Sequence, residues 1–185
     1  MSSLPRAATL AALIFLAAPA RGAEPVHPVD PVQAADAARQ ADVAASGARV
    51  MPFDLRATLH VFTKTARGGV QRVVARDAAD ARQVALVREH LRALRGQFLR
   101  GDFTAPEHVH GQAMPGLAAL SAAAPGQIDI AYAQVPGGAE LRYASADARL
   151  VAALHAWFDA QLGDHGGDAM AGHGHAGHEV MPERP

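Results

Sequence analysis

Leu59-His60-Val61-Phe62-Thr63-Lys64-Thr65-Ala66-Arg67-Gly68-Gly69-Val70-Gln71-Arg72-Val73-Val74-Ala75-Arg76 decides how the chain is read. Leu59, Val61 and Thr63 alternate with His60, Phe62 and Lys64, the period of two that a half-buried strand shows. Ala66-Arg67-Gly68-Gly69 supplies a turn, and Val70 to Arg76 forms the return strand of a hairpin. Asp77 or Asp80 can then cap a helix from about Ala79 to Arg100. Its Val84, Val87, Leu91, Leu94 and Phe98 recur every three or four residues, so one stripe faces a core. Arg88, Arg92 and Arg95 lie on the other side and read as a solvated helix face, with phosphate binding as the sharper alternative.

The pattern repeats further along. Ile128 to Ala133 alternates, Pro136-Gly137-Gly138 turns, Leu141 to Ala144 returns, and Asp147 caps a helix from about Ala148 to Leu162. Two hairpin-helix units each expose one apolar face. The simplest way to bury both is an α+β domain with a four-stranded antiparallel sheet and both long helices packed on one face. Between the units, Gly101 to Pro106 breaks the first helix, and Pro115 to Ala123 suggests a short one.

Outward from this core the composition changes. Residues 1–22 read as an export signal: Arg6 is followed by the apolar run Ala7 to Ala18, with small residues for cleavage at Ala18-Pro19-Ala20 or Ala20-Arg21-Gly22. A dozen apolar residues is short for a permanent anchor, so no stable membrane insertion is expected once the signal is removed. A periplasmic or secreted location follows. Residues 23–49, rich in Ala, Pro and Val, read as a linker, helical at most transiently from Pro31 to Ala45. The folded domain is expected over residues 50–163, and a His/Met-rich flexible tail over residues 164–185.

The 185 residues carry a formal net charge of −1, which offers nothing to attract nucleic acid. There is no cysteine, hence no disulfide and no thiolate ligand. Ten histidines and five methionines stand out instead. The tail places His165, Met170, His173, His175 and His178 among Gly and Ala that let the backbone wrap around an ion. Imidazole and thioether donors suit copper better than hard cations, with zinc or nickel as other candidates. In the connection between the units, His108-Val109-His110-Gly111-Gln112-Ala113-Met114 reads as an extended segment. There His108 and His110 point to opposite sides unless the backbone turns, and Met114 follows at the mouth of a helix. His60, His90 and His155 sit on regular elements. Each alone reads as a hydrogen-bonded boundary histidine, and together they are candidates to converge on the central loop.

His60-Val61-Phe62-Thr63-Lys64-Thr65, His110-Gly111 followed by Met114-Pro115-Gly116-Leu117, and His155-Ala156-Trp157-Phe158-Asp159-Ala160-Gln161 leading to Asp164-His165-Gly166 resemble a family of small exported bacterial proteins. The resemblance covers roughly residues 51 to 170. It implies that His60, His110, Met114, His155 and His165 make the site, and it implies no particular metal or activity. Some members carry the label aspartate carbamoyltransferase, but the Ser-Thr-Arg-Thr carbamoyl phosphate motif of that much longer enzyme is absent here.

The sequence offers no G-x-S-x-G elbow, no H-E-x-x-H, no phosphate-binding glycine loop and no C-x-x-C-H haem motif. The expectation is therefore an exported transition-metal-binding protein, copper first, for storage, buffering or delivery. His110 and Met114 are the central ligands, His60, His90 and His155 converge on them, and the tail serves as a capture arm. A small-molecule or noncovalent haem-binding module is one alternative and a metal-dependent enzyme another.

Overall fold

A computed structural model describes residues 31–173. The signal-like residues 1–22, His175 and His178 lie outside the described residues. The elements run α1 (Pro31–Val50), β1 (Thr58–Thr65), β2 (Gly68–Ala75), α2 (Ala81–Phe98), α3 (Thr104–His110), α4 (Leu117–Ser121), β3 (Asp129–Val135), β4 (Gly138–Ala144), α5 (Ala148–His165) and β5 (Ala169–Ala171), with a 3-10 turn at Gly166–Asp168 before β5.

The fold is α+β, as the alternation indicates, but the sheet has five strands in the order β3-β4-β2-β1-β5. Four of them are the two hairpins, joined antiparallel through β2 and β4, with Gln71 opposite Leu141. The fifth corrects the expected four-stranded antiparallel sheet: β5 runs parallel to β1, pairing His60 with Ala169 and Phe62 with Ala171. Nothing in Ala169-Met170-Ala171 announces a strand. It pairs because α5 ends beside the open edge of β1 and a short turn brings the chain back along it, satisfying ladder groups that an edge leaves exposed.

One face of the sheet carries the core. Phe62 of β1, Val73 of β2, Ile130 of β3 and Ala139, Leu141 and Tyr143 of β4 are all buried. Against them lie Val84, Val87, Leu91, Leu94 and Phe98 of α2 and Leu150, Leu154, Trp157 and Phe158 of α5. Asp80 caps α2, accepting the Gln83 amide at 3.0 Å, and Asp147 caps α5, accepting the Arg149 amide at 2.8 Å. The aromatics interlock at the centre: Phe98 stacks on Phe103 at 4.4 Å between ring centroids, and Trp157 meets Phe98 edge-on at 5.8 Å. Burying each such ring contributes on the order of 2–3 kcal/mol from apolar area alone.

Several local expectations change. The arginine row of α2 is only partly a solvated face: Arg92 is exposed, whereas Arg88 and Arg95 are half-buried against the sheet. Arg95 donates to the Ile130 carbonyl at 2.6 Å, Arg88 to the Gly138 carbonyl at 3.0 Å, and Arg92 lies over the Tyr132 ring at 5.0 Å. The row thus lies along β3 at the end of the sheet and occupies carbonyls there, which discourages edge-to-edge pairing. Residues 31–50 form a helix rather than a linker. Val43 is buried, and an added Cβ at Gly47 would meet Leu55 at 2.9 Å, so α1 packs closely on the domain, against α3 and α5. At the other end α5 continues to His165, and the sheet takes in residues up to Ala171, so the fold does not stop at residue 163. Among the described residues no helix is long and apolar enough to cross a membrane.

Candidate functional site

His60 comes from the inward face of β1. The same alternation that turns Phe62 into the core turns His60 there too, and it is 3% exposed. His90 comes from the edge of the apolar stripe of α2. His110 is the last residue of α3, the short helix that replaces the expected extended loop, and is itself buried. His165 is the last residue of α5. Four elements far apart in sequence thus bring His60, His90, His110 and His165 to one small cavity of about 30 Å³. Gln71, Gln161 and Trp157 complete its polar lining.

The rings are close. His60 and His165 lie parallel with centroids 4.9 Å apart, and His110 meets His165 edge-on at 5.0 Å. His90 stands behind Phe53, edge to face at 5.4 Å, and Phe53 is in turn 6.0 Å from His60. Two buried nitrogens in this region have no protein partner: His60 Nδ1 and the indole Nε1–H of Trp157. Orphaned polar atoms are rare in folded proteins, and they mark a place prepared for a ligand or water.

Burial sets the charge of the cluster. It lowers the His60 pKa well below the usual imidazole value, and neighbouring His165 and His90 push in the same direction. Burial brings His90 down to about 4; it does the same to His165, with His110 adding to the effect. Burial also lowers His110, outweighing the Asp164 hydrogen bond that favours its charged form. All four are neutral at pH 7, each with a nitrogen lone pair available.

His110 has a defined partner on its other side. Its Nδ1 lies 2.8 Å from an Asp164 carboxylate oxygen. Asp164 in turn accepts both Nε and Nη2 of Arg39, at 2.5 and 2.7 Å, and the same Nη2 donates to the His110 carbonyl at 3.1 Å. Burial pushes the Asp164 carboxyl up, but the bonds from Arg39 and His110 outweigh it and hold it below the usual range. Asp164 is therefore a carboxylate, and His110 must present Nδ1–H to it. His110 also borders a wider groove of about 640 Å³ open to the surface, lined by Asp36, Arg39, Gln112 and Met114 among others. One histidine thus lines both the small cavity and the groove.

The other sequence candidates fall elsewhere. Met114 is buried in the main core and borders the groove, not the cavity. His108 is exposed, with Nδ1 3.2 Å from the Thr104 carbonyl. His155 does not converge: its Nε2 lies 2.8 Å from the Gly68 carbonyl and 3.1 Å from that of Thr65, tying α5 to the first hairpin turn. Met170, 48% exposed, and His173 line the opposite, open face of the sheet. Arg39, Asp164 and Gln161 were not among the sequence candidates. Arg39 falls in the stretch read as linker, while Gln161 and Asp164 stand in the His155-to-Gly166 motif without being singled out as site residues.

Among the described residues no group of three or more His, Asp or Glu side chains stands where it could hold a metal ion as placed. Comparison with family models, with curated proteins and with solved structures found no match for this chain.

Proposed function

We propose that the protein binds a single transition-metal ion, copper foremost, in the cavity bounded by His60, His110 and His165, with His90 at its margin, and that it serves metal storage, buffering or delivery outside the cytoplasm. The observation that carries the reading is the convergence of four uncharged histidines on one enclosed cavity that holds an unpartnered imidazole nitrogen. Metal binding requires neutral imidazoles, and burial has already removed their protons.

The spacing supports it. Two imidazoles on one tetrahedral ion, with metal–nitrogen bonds of about 2.0 Å, have ring centroids about 5 Å apart. The His60–His165 and His110–His165 pairs stand at 4.9 and 5.0 Å. The parallel rings of His60 and His165 cannot aim at a common point, so loading requires one of them to turn. His165 is the candidate, because only a 3.1 Å contact with Gln161 fixes its Nε2. Neutral imidazoles without a thiolate or a ring of carboxylates favour copper, and then zinc or nickel, over calcium or magnesium. A 30 Å³ cavity admits an ion or a water and is far too small for haem.

The test is copper stoichiometry of the full chain by elemental analysis after dialysis. The intact protein is compared with a His60→Gln/His165→Gln variant and with a His173→Ala/His175→Ala/His178→Ala variant. Loss of one tightly held equivalent in the first variant and its retention in the second is the expected result. Equal copper in the first variant and the intact protein would refute the cavity as the site. Removing the chain after residue 163 is not a clean test, since it takes away His165 and β5 along with the tail.

A further inference from the structure

The hydrogen bonds around His110 run in one direction. Arg39 can only donate, so both of its bonds to Asp164 fix that carboxylate as an acceptor. Asp164, ionised and 6% exposed, has an oxygen 2.8 Å from His110 Nδ1, and the only neutral tautomer that satisfies it carries the proton there. The lone pair is then left on Nε2. Arg39 also holds the backbone of the same histidine through the His110 carbonyl, and its neighbour Gln40 donates to the Gly163 carbonyl at 3.0 Å. A single guanidinium on α1 thus joins the end of α3 to the end of α5, across 125 positions of sequence, at the point where both histidine-bearing helices stop.

We propose that Arg39 is a positioning residue of the histidine cavity: by clamping Asp164 it locks His110 in the Nδ1–H tautomer and selects Nε2 as the donor atom offered to a bound metal. The inference rests on the metal-binding reading for its consequence, but the tautomer lock stands or falls separately. Carboxylates behind metal-bound histidines act in this way generally, fixing ring orientation and raising the basicity of the ligating nitrogen. What is particular here is that the carboxylate is itself held by a residue of α1, the first described helix, far away in sequence.

Two-bond proton–nitrogen NMR correlation of the full chain at pH 7 reads the tautomer directly, and a copper competition titration reads affinity. The wild type should show His110 protonated at Nδ1 alone. Arg39→Met should give a tautomer mixture and a copper affinity lower by about 10- to 100-fold, the usual cost of losing an outer-shell partner. Arg39→Lys, which keeps the charge but not the fork, should fall between the two. Gln40→Ala, which loosens α1 without touching Asp164, should leave both readouts at wild-type values. Should Arg39→Met fail to fold, Arg39→Lys against Gln40→Ala decides the matter alone. A wild-type or Arg39→Met protein whose His110 tautomer does not fit this pattern would overturn the proposal, as would equal effects of Arg39→Lys and Gln40→Ala. A wild type that shows the locked tautomer but takes up no copper would overturn the metal reading and leave the lock intact.

Discussion

Lowering the pH from 6 to 5 should destabilise this fold by an amount that its histidines account for. His60, His90 and His165 have pKa values depressed by burial, His90 and His165 to about 4, whereas in the unfolded chain each returns to about 6.5. Because the folded values lie lower, the unfolded chain takes up protons first as the pH falls. Their stabilising effect is complete above about pH 6.5 and drains away down to about pH 4. Linkage gives about 1 kcal/mol each for His90 and His165 between pH 6 and 5, so these two cost roughly 2 kcal/mol, a large share of the stability of a domain this size, and the lowered His60 and His110 add in the same direction. The carboxylates with lowered values, Asp102, Glu140, Asp147 and Asp164, have the same sign of effect but enter only as the pH approaches their ordinary range near 4, which leaves this window to the histidines. Urea unfolding followed by circular dichroism at pH 6.0, 5.5 and 5.0 measures the slope. His90→Leu, which removes one titrating group beside Phe53, should reduce the loss by about 1 kcal/mol. Stability that stays level from pH 6 to 5, or an unchanged slope in His90→Leu, would refute the claim that burial keeps these rings neutral.

Three further outcomes follow from the same structure. Copper held in the cavity should be released at a lower pH than copper held by exposed imidazoles, which leaves near pH 6.5, since burial lowers the pKa of His60, His110 and His165 alike; a pH-stepped competition titration separates the two. Gly116→Ala should destabilise the fold by about 2 kcal/mol or more, because Gly116 sits at φ +78° and a Cβ there would lie 2.0 Å from the Ala153 carbonyl oxygen, and thermal unfolding reads the loss. His155→Ala should cost about 1 kcal/mol by freeing the first hairpin turn, with copper stoichiometry unchanged.

The hairpins, the long helices and their caps were legible because period-two and period-three-to-four patterns are local. Val84 to Phe98 needed nothing but its own spacing to mark the buried stripe of α2. The parallel β5 was not legible, since three small or flexible residues acquire their pairing only from where α5 ends. Nor was the docking of α1, whose Ala-rich sequence looks like a linker until Val43 and Gly47 find α3 and α5. At the site, His60 was a weak candidate on its own because the strand pattern placed it on the face of Phe62. His165 was assigned to the tail for its company of glycines, although it is the last turn of α5. His155 lies between Val151 and Phe158 on α5, but its ring is turned to the first hairpin, whereas Trp157 two residues on reaches the cavity. Sequence shows which residues share a face and cannot show at which end of an element two faces meet.

The clamp between Arg39 and Asp164 also sets an order of events when the chain is made. A contact spanning 125 positions must pay the closure entropy of nearly the whole domain, so it forms after the local hairpins and helices. His60, His90 and His110 are synthesised well before α5 is finished, and until then α1 has no carboxylate to grasp. Asp164 and His165 stand side by side, so the step that supplies the anchor for α1 also supplies the last ring of the cavity. A nascent or truncated chain therefore has scattered histidines but no chamber, and the cavity is closed in one late step rather than built up gradually.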